Sequence, residues 1–382
     1  MTPKSSISLH EPVFAGNEWK YVKDCLDTGW VSSSGSFVTR FEKDVAARVG
    51  VGHAVAVSTG TAALHLAMKL LGVGPGDEVI VPSLTFIATC NAAVYEGAVP
   101  RFVDVEEATY GLDPAAVERF LAEKTRRKGG RLIARDTGRR IAACMPMHAL
   151  GHPARIDALL EVCGRYGLPV VEDAAEALGS FYRGKSLGSF GALAALSFNG
   201  NKILTTGGGG MLVTDDKALA SRARHLSTQA KKDPAAYWHD AVGFNYRLPN
   251  INAALGCAQL EQLDGFLTKK RRIAQWYRES LEGAEGLALV WEPAEARSNF
   301  WLNTVRADSP RRAARLLKRL TDEGVGARPL WAPCHLQPMF KKAPRERMTT
   351  TERLWRTSFN VPSTATLSRD TVRAVARLLT RS

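Results

Sequence analysis

Lys202 is the residue around which the chemistry of this chain is read. It ends the stretch Ser197-Phe198-Asn199-Gly200-Asn201-Lys202, lies between two apolar runs, and leads into Thr205-Thr206-Gly207-Gly208-Gly209-Gly210. Lysine is seldom buried without a task, and a desolvated amine is a nucleophile. The glycines permit tight turns and close approach of a ligand. They form no Walker motif, because the lysine precedes them. They form no dinucleotide fingerprint either, because GGGG lacks the GxGxxG spacing and leads into a strand. Ser58-Thr59-Gly60-Thr61-Ala62 follows a strand and opens a helix, where small residues and free amides favour an anion. Glu172-Asp173-Ala174-Ala175-Glu176 places carboxylates at a strand's end, beside a central crevice. Gly243 to Ala254 sets Asn245 and Arg247 just ahead of a helix. Each of these three also has a plain structural reading: a capped turn, a helix N-cap and a helix entry.

Together they describe one site. A phosphate cradle, a carboxylate and a lysine nucleophile on an α/β sheet are the parts that pyridoxal 5'-phosphate requires. The lysine forms an imine with the aldehyde. The carboxylate keeps the pyridine nitrogen protonated, so that the ring accepts the electrons of a carbanion.

The surrounding pattern predicts the elements that position these groups. Strands are expected at Ala54 to Val57, Glu78 to Val81, Val99 to Val103, Ile141 to Met147 and Pro169 to Glu172. Helices are expected at Thr61 to Leu71, Ile87 to Tyr95, Pro114 to Lys124 and Ile156 to Tyr166. This alternation is that of βαβ units and a mostly parallel sheet. Two closely spaced strands, Ala192 to Ser197 and Gly210 to Thr214, suggest a mixed edge. One or two long helices over Asn252 to Leu281 lead into a smaller α/β segment. We therefore expect a large domain over residues 1–260 and a small one over 261–382.

Composition narrows the class. The chain has 382 residues, 45% of them hydrophobic and 23% charged, as in an ordinary globular protein and unlike a disordered one. No apolar run approaches the ~20 residues of a membrane-spanning helix. The N-terminus lacks the apolar core of a secretory signal. The six cysteines form no CxxC pair, which argues against a disulfide framework or a metal site and for a reducing compartment, the cytoplasm. The net charge of +13 is concentrated. Between Glu123 and Arg140, eight basic residues face two acidic ones, in what reads as an exposed hairpin or loop. No aromatic-interleaved basic motif accompanies it, so nucleic acid is not an expected partner. A basic surface would still attract an anionic small substrate.

The sequence resembles the DegT/DnrJ/EryC1/StrS nucleotide-sugar aminotransferases, from about Leu9 to the C-terminus. The resemblance is carried by TGWVSSSG (28–35), STGTAAL (58–64), PSLTFIAT (82–89), VEDAAEALGS (171–180), SFNGNK (197–202) and GFNYRLPNINAALG (243–256). It implies the fold-type I, aspartate aminotransferase-like α/β fold. It implies that Lys202 holds the cofactor and shuttles the proton, and that Asp173 pairs with the pyridine nitrogen. Phe86 would stack on the ring, and Gly60, Thr61 and Ser197 would bind the phosphate. Asn245 and Arg247 would reach the cofactor of a neighbouring subunit, because the family's sites lie at a homodimer interface. The family more often carries glutamine at the position of Glu176, near the cofactor's phenolic oxygen. The basic insert at 124–140 is longer than the family implies and is assigned no role.

The implied reaction moves an amino group from L-glutamate to C4 of a 4-keto-6-deoxy nucleotide sugar. SFNGNKILTTGGGG, MHALGHP (147–153) and RPLWAPCHLQP (328–338) resemble the branch acting on UDP-2-acetamido-4-keto-6-deoxy hexoses. His335 in the last run is the candidate for contacting the sugar or diphosphate. Other readings are a dehydratase on the same fold, which usually has histidine in place of Lys202, and a non-catalytic pyridoxal phosphate-binding regulator. Amination of a GDP- or dTDP-sugar, or at another position, is a further one. Base and sugar contacts come from loops, so sequence separates these last poorly.

Overall fold

A computed structural model describes residues 7–233 and 235–381. Its centre is a twisted sheet in the order His53–Val57, Gly210–Thr214, Leu193–Ser197, Val171–Asp173, Ile141–Cys144, Glu78–Pro82, Val99–Val103. Parallel bridges Cys144 to Val170 and Met147 to Asp173 join its two halves. Every strand runs parallel except Gly210–Thr214. That strand is not at an edge, as the sequence suggested, but between two others. The connection from Ser197 to Gly210 contains no crossover helix, and a parallel return would need one.

Side chains alternate across the sheet, as a strand buried on both faces requires. Val55, Val57, Val79 and Val81 face the helices Gly60–Leu70, Ile87–Tyr95 and Lys217–Ser227. Ala54, Ala56 and Ile80 face Ser36–Val49, Pro114–Lys124, Ile156–Arg165 and Asn250–Glu261. Small antiparallel strands, Leu287–Leu289, Asn303–Ala307, Ser358–Val361 and Arg328–Pro329, make a second sheet. Ile273, Leu316 and Val372 give it a separate apolar core. The helix Leu263–Ser280 passes from one core to the other: Leu263 and Leu267 pack in the large one, Ile273 and Tyr277 in the small.

The basic insert is a hairpin, Thr125–Lys128 against Arg131–Ala134. Its far end is tied to the sheet. Buried Arg101 donates to Glu78 at 2.8 Å and to Asp136 at 2.7 Å, and Thr137 donates to Glu78 at 2.6 Å. The Arg101–Glu78 pair is wholly buried, so the insert supplies the remaining partners that a desolvated ion pair needs. Among the described residues no helix is long and apolar enough to cross a membrane.

Candidate active site

A cavity of about 330 Å³ opens at the C-terminal ends of the strands His53–Val57, Val171–Asp173 and Leu193–Ser197. Gly60, Thr61, Phe86, Asp173, Glu176, Ser197 and Lys202 all line it. Seven of the ten residues singled out from sequence are thus brought together from four separate segments.

The cradle is built by close backbone approach. Thr59 caps the helix Gly60–Leu70 by accepting from the Ala62 N–H at 2.9 Å. A Cβ on Gly60 would lie 2.8 Å from the Ser197 Cβ, so glycine alone leaves room between helix start and strand end. Gly210 has the same role from the other side, where a Cβ would overlap the Thr59 carbonyl. The free amides of the first helical turn therefore face an open pocket beside the Ser197 hydroxyl, a ready anion site.

Asp173 is 2% exposed. Thr89 donates to its Oδ2 at 2.6 Å, and the Ala175 N–H to its Oδ1 at 3.2 Å. Burial raises its pKa above the usual carboxylate range, against the lowering effect of those donors and of Lys202. Such a group gains from a cationic or hydrogen-bond-donating partner inside the cavity. Behind it, Glu172 is locked by His148 at 3.0 Å and by the backbone N–H groups of Gly188, Phe190 and Gly191. These partners outweigh its burial and hold its pKa down.

The Lys202 side chain is 12% exposed, with Nζ 3.1 Å from Glu176 Oε1. The same Nζ lies 4.1 Å from the centroid of the Trp301 ring. Glu176 Oε2 accepts from the Leu150 N–H at 2.8 Å. Leu150 has φ 63, a left-handed conformation rare for a branched side chain, and this turn is what aims its N–H at the carboxylate. Burial raises the Glu176 pKa to about 7 despite the neighbouring amine.

Three predicted residues lie elsewhere. Arg247 pairs with Glu42 at 2.9 Å and donates to the Ala56 carbonyl at 3.1 Å, closing the outer edge of the His53–Val57 strand. Asn245 is exposed beyond the cavity wall, with its backbone bridged to Thr228. His335 does not reach the cavity. It is buried, with Nδ1 2.7 Å from Ser83 Oγ, and its loop contributes Trp331 instead. Sequence reasoning missed Thr89, Leu150 and Trp301. Thr89 stands within the quoted PSLTFIAT run, one turn after Phe86, and was legible there. Trp301 was not, since only the tertiary fold brings it to Lys202. Its indole N–H donates to the Asn201 carbonyl at 2.6 Å, and buried Lys270 holds its carbonyl at 2.6 Å.

Gly210→Ala is expected to destabilise the chain by about 1–3 kcal/mol through overpacking against rigid backbone. Gly200→Ala, whose Cβ would meet nothing closer than 3.9 Å, should stay within about 0.5 kcal/mol of the parent. Denaturant unfolding of both variants checks this, and equal stabilities would refute the close-approach account.

Residues 13–380 match the model of the DegT/DnrJ/EryC1/StrS aminotransferase family. The GDP-perosamine synthase of Caulobacter vibrioides is 41% identical, over 99% of each chain. That of Escherichia coli O157:H7 is 38% identical, over 96% of this chain and 95% of the relative. Among solved structures, the aminotransferase TlmJ from Streptoalloteichus hindustanus superposes with a TM-score of 0.88 at 32% identity, over 98% of each chain. The chain belongs to the DegT/DnrJ/EryC1/StrS family and is a pyridoxal phosphate-dependent nucleotide-sugar aminotransferase.

Proposed function

We propose that this enzyme transfers the amino group of L-glutamate to C4 of a 4-keto-6-deoxy nucleotide sugar, with Lys202 as its acid–base residue. The observation that carries the reading is the convergence of the Lys202 amine and the Asp173 carboxyl on one cavity beside the Gly60 cradle. These residues fit pyridoxal phosphate. The cradle that a Cβ would fill accepts the phosphate, Lys202 offers the amine, and buried Asp173 offers an acceptor for the ring N–H. When bound, the cofactor supplies the electron sink for the carbanion formed as the amino group moves.

The chain's own groups do the rest. Lys202 Nζ removes the α-proton of glutamate in one half-reaction and delivers a proton to sugar C4 in the other. A single positioned acid–base group of this kind contributes about 10²–10⁴-fold. Thr89 and the Ala175 N–H orient the Asp173 carboxylate. Phe86, Trp301 and Trp331 wall the cavity with aromatic surface and limit water access. The amine thus works in a medium where its electrostatic contacts are stronger than in water.

Two copies are proposed to share the site. Asn245 is exposed and lies outside its own cavity, and Trp19, Leu26, Trp30 and Tyr95 are each more than half exposed, as expected of a surface that a second copy covers. Mixing inactive Lys202→Ala with inactive Asn245→Ala subunits should then restore activity, because a hybrid dimer holds one intact site. Verified hybrids without recovery would contradict sharing.

Two relatives that match almost end to end carry GDP in their names, which favours a GDP-linked keto sugar. The UDP-2-acetamido reading remains the second, supported by the 197–210 and 147–153 runs. The direct test incubates the enzyme and glutamate with GDP-, UDP- and dTDP-linked 4-keto-6-deoxy sugars and identifies products by mass. The expected result is an amino sugar and 2-oxoglutarate, with the highest kcat/KM for the GDP-sugar. Amination of none of the three would refute the proposed reaction. A preference for UDP would favour the second reading.

A further inference from the structure

Glu176 touches the Lys202 amine, and a carboxyl group there can do what an amide cannot. We propose that Glu176 is a proton-holding partner of Lys202, taking a proton from the amine and returning it through their direct contact. The proposal rests on Lys202 being the reactive amine of the site.

The geometry supplies a single path. Glu176 Oε1 lies 3.1 Å from Lys202 Nζ. Its other oxygen is engaged by the Leu150 N–H at 2.8 Å, a backbone donor that neither gives up nor accepts a proton. A proton on Glu176 therefore sits on Oε1, the oxygen that faces the amine. That arrangement depends on the left-handed backbone of Leu150, a conformation that persists only where the surroundings enforce it. His148 helps to enforce it. It accepts from the Ala154 N–H and pairs with Glu172, fixing both ends of the turn.

The transfer is balanced. An N–H bond on the Lys202 ammonium breaks and an O–H bond on Glu176 forms, so that an ion pair becomes a neutral amine beside a neutral acid. No net charge enters or leaves the buried site. Glu176 is 2% exposed, and its burial favours the neutral pair, while the Trp301 ring face favours the ammonium. The other groups that bear on the pair are Asp173, which raises the proton affinity of Glu176, and His10, on the Lys202 side. Burial and the two lysines 202 and 270 lower the His10 pKa to about 2, so His10 stays neutral. With burial as the largest cause, the Glu176 pKa reaches about 7, where a carboxyl group exchanges protons near neutrality.

A shared proton has a signature that a fixed carboxylate lacks. Between the two macroscopic steps of a coupled pair, the fraction of neutral amine does not change with pH. The test measures trace acetylation of Lys202 in the cofactor-free full chain by acetic anhydride from pH 5.5 to 9. The Lys202 peptide is quantified by mass spectrometry, for wild type and Glu176→Gln. In the wild type the rate should climb with pH and then level off above about pH 7. In Glu176→Gln it should keep climbing, matching wild type below pH 6.5 and exceeding it about tenfold at pH 8.5, because no carboxylate forms beside the amine to hold its proton. Equal rates throughout, or a constant ratio from pH 5.5 upward, would overturn the proposal. If Glu176→Gln does not fold, the wild-type curve decides alone: a plateau supports the shared proton and an unbroken rise refutes it. The readout needs no turnover, so its failure is separate from any failure of the product assay.

Discussion

Three ionisable side chains, Asp173, Glu176 and Lys202, are held nearly out of water within one cavity, and much of the structure serves to make that tolerable. Burying an ionisable group costs several kcal/mol unless it is paired or hydrogen-bonded. Each of the three is accordingly engaged. Asp173 accepts from Thr89, Glu176 from the strained Leu150 turn, and Lys202 meets a carboxylate on one side and an indole face on the other. These partners come from distant parts of the chain, so the cavity exists only when both the central sheet and the Trp301 segment are in place. Trp301 is itself pinned at both ends, by Asn201 and by Lys270.

The glycines answer a different constraint. A phosphate-sized anion can approach the first helical turn only if nothing projects from it. Gly60 and Gly210 keep the space between Thr59, Ser197 and the antiparallel strand clear. The run of glycines is thus explained partly by packing against the helix start and partly by the turn at Gly207, whose φ is +79. The antiparallel strand delivers Gly210 to that place.

Local signals made much of the fold legible. Pro114–Lys124 is preceded by Asp113, which caps it, and opens with proline, so both chemistry and period mark its start. Ile87–Tyr95 and Val99–Val103 also stand where apolar spacing put them. The helix Glu18–Thr28 is absent from the expected elements: it buries only Glu18 and Cys25, and its apolar stripe, with Trp19 and Leu26, stays exposed. Ser36–Val49 was not read either, although Val38, Phe41, Val45 and Val49 form such a stripe. The interior place of Gly210–Thr214 was out of reach, since strand order is not a local property. The same reason separates the site residues. Asp173 ends one apolar strand and Lys202 stands in the turn just after another, so both announce themselves, whereas Trp301 and Leu150 act through tertiary neighbours, and His335 turns away to Ser83. The contacts of Arg247 within its own chain, with Glu42 and the Ala56 carbonyl, were equally out of reach, because both partners are far away in sequence.

The central claim is that Lys202 is the amine that carries the cofactor. The chain offers a second buried lysine, Lys270, whose pKa burial lowers well below the usual value, and this makes the claim sharp. Borohydride reduction of the enzyme with pyridoxal phosphate bound, followed by peptide mapping, tests it directly. The account predicts a pyridoxyl label on Lys202 alone, lost in Lys202→Ala. A label on Lys270, or on any other lysine, would contradict it.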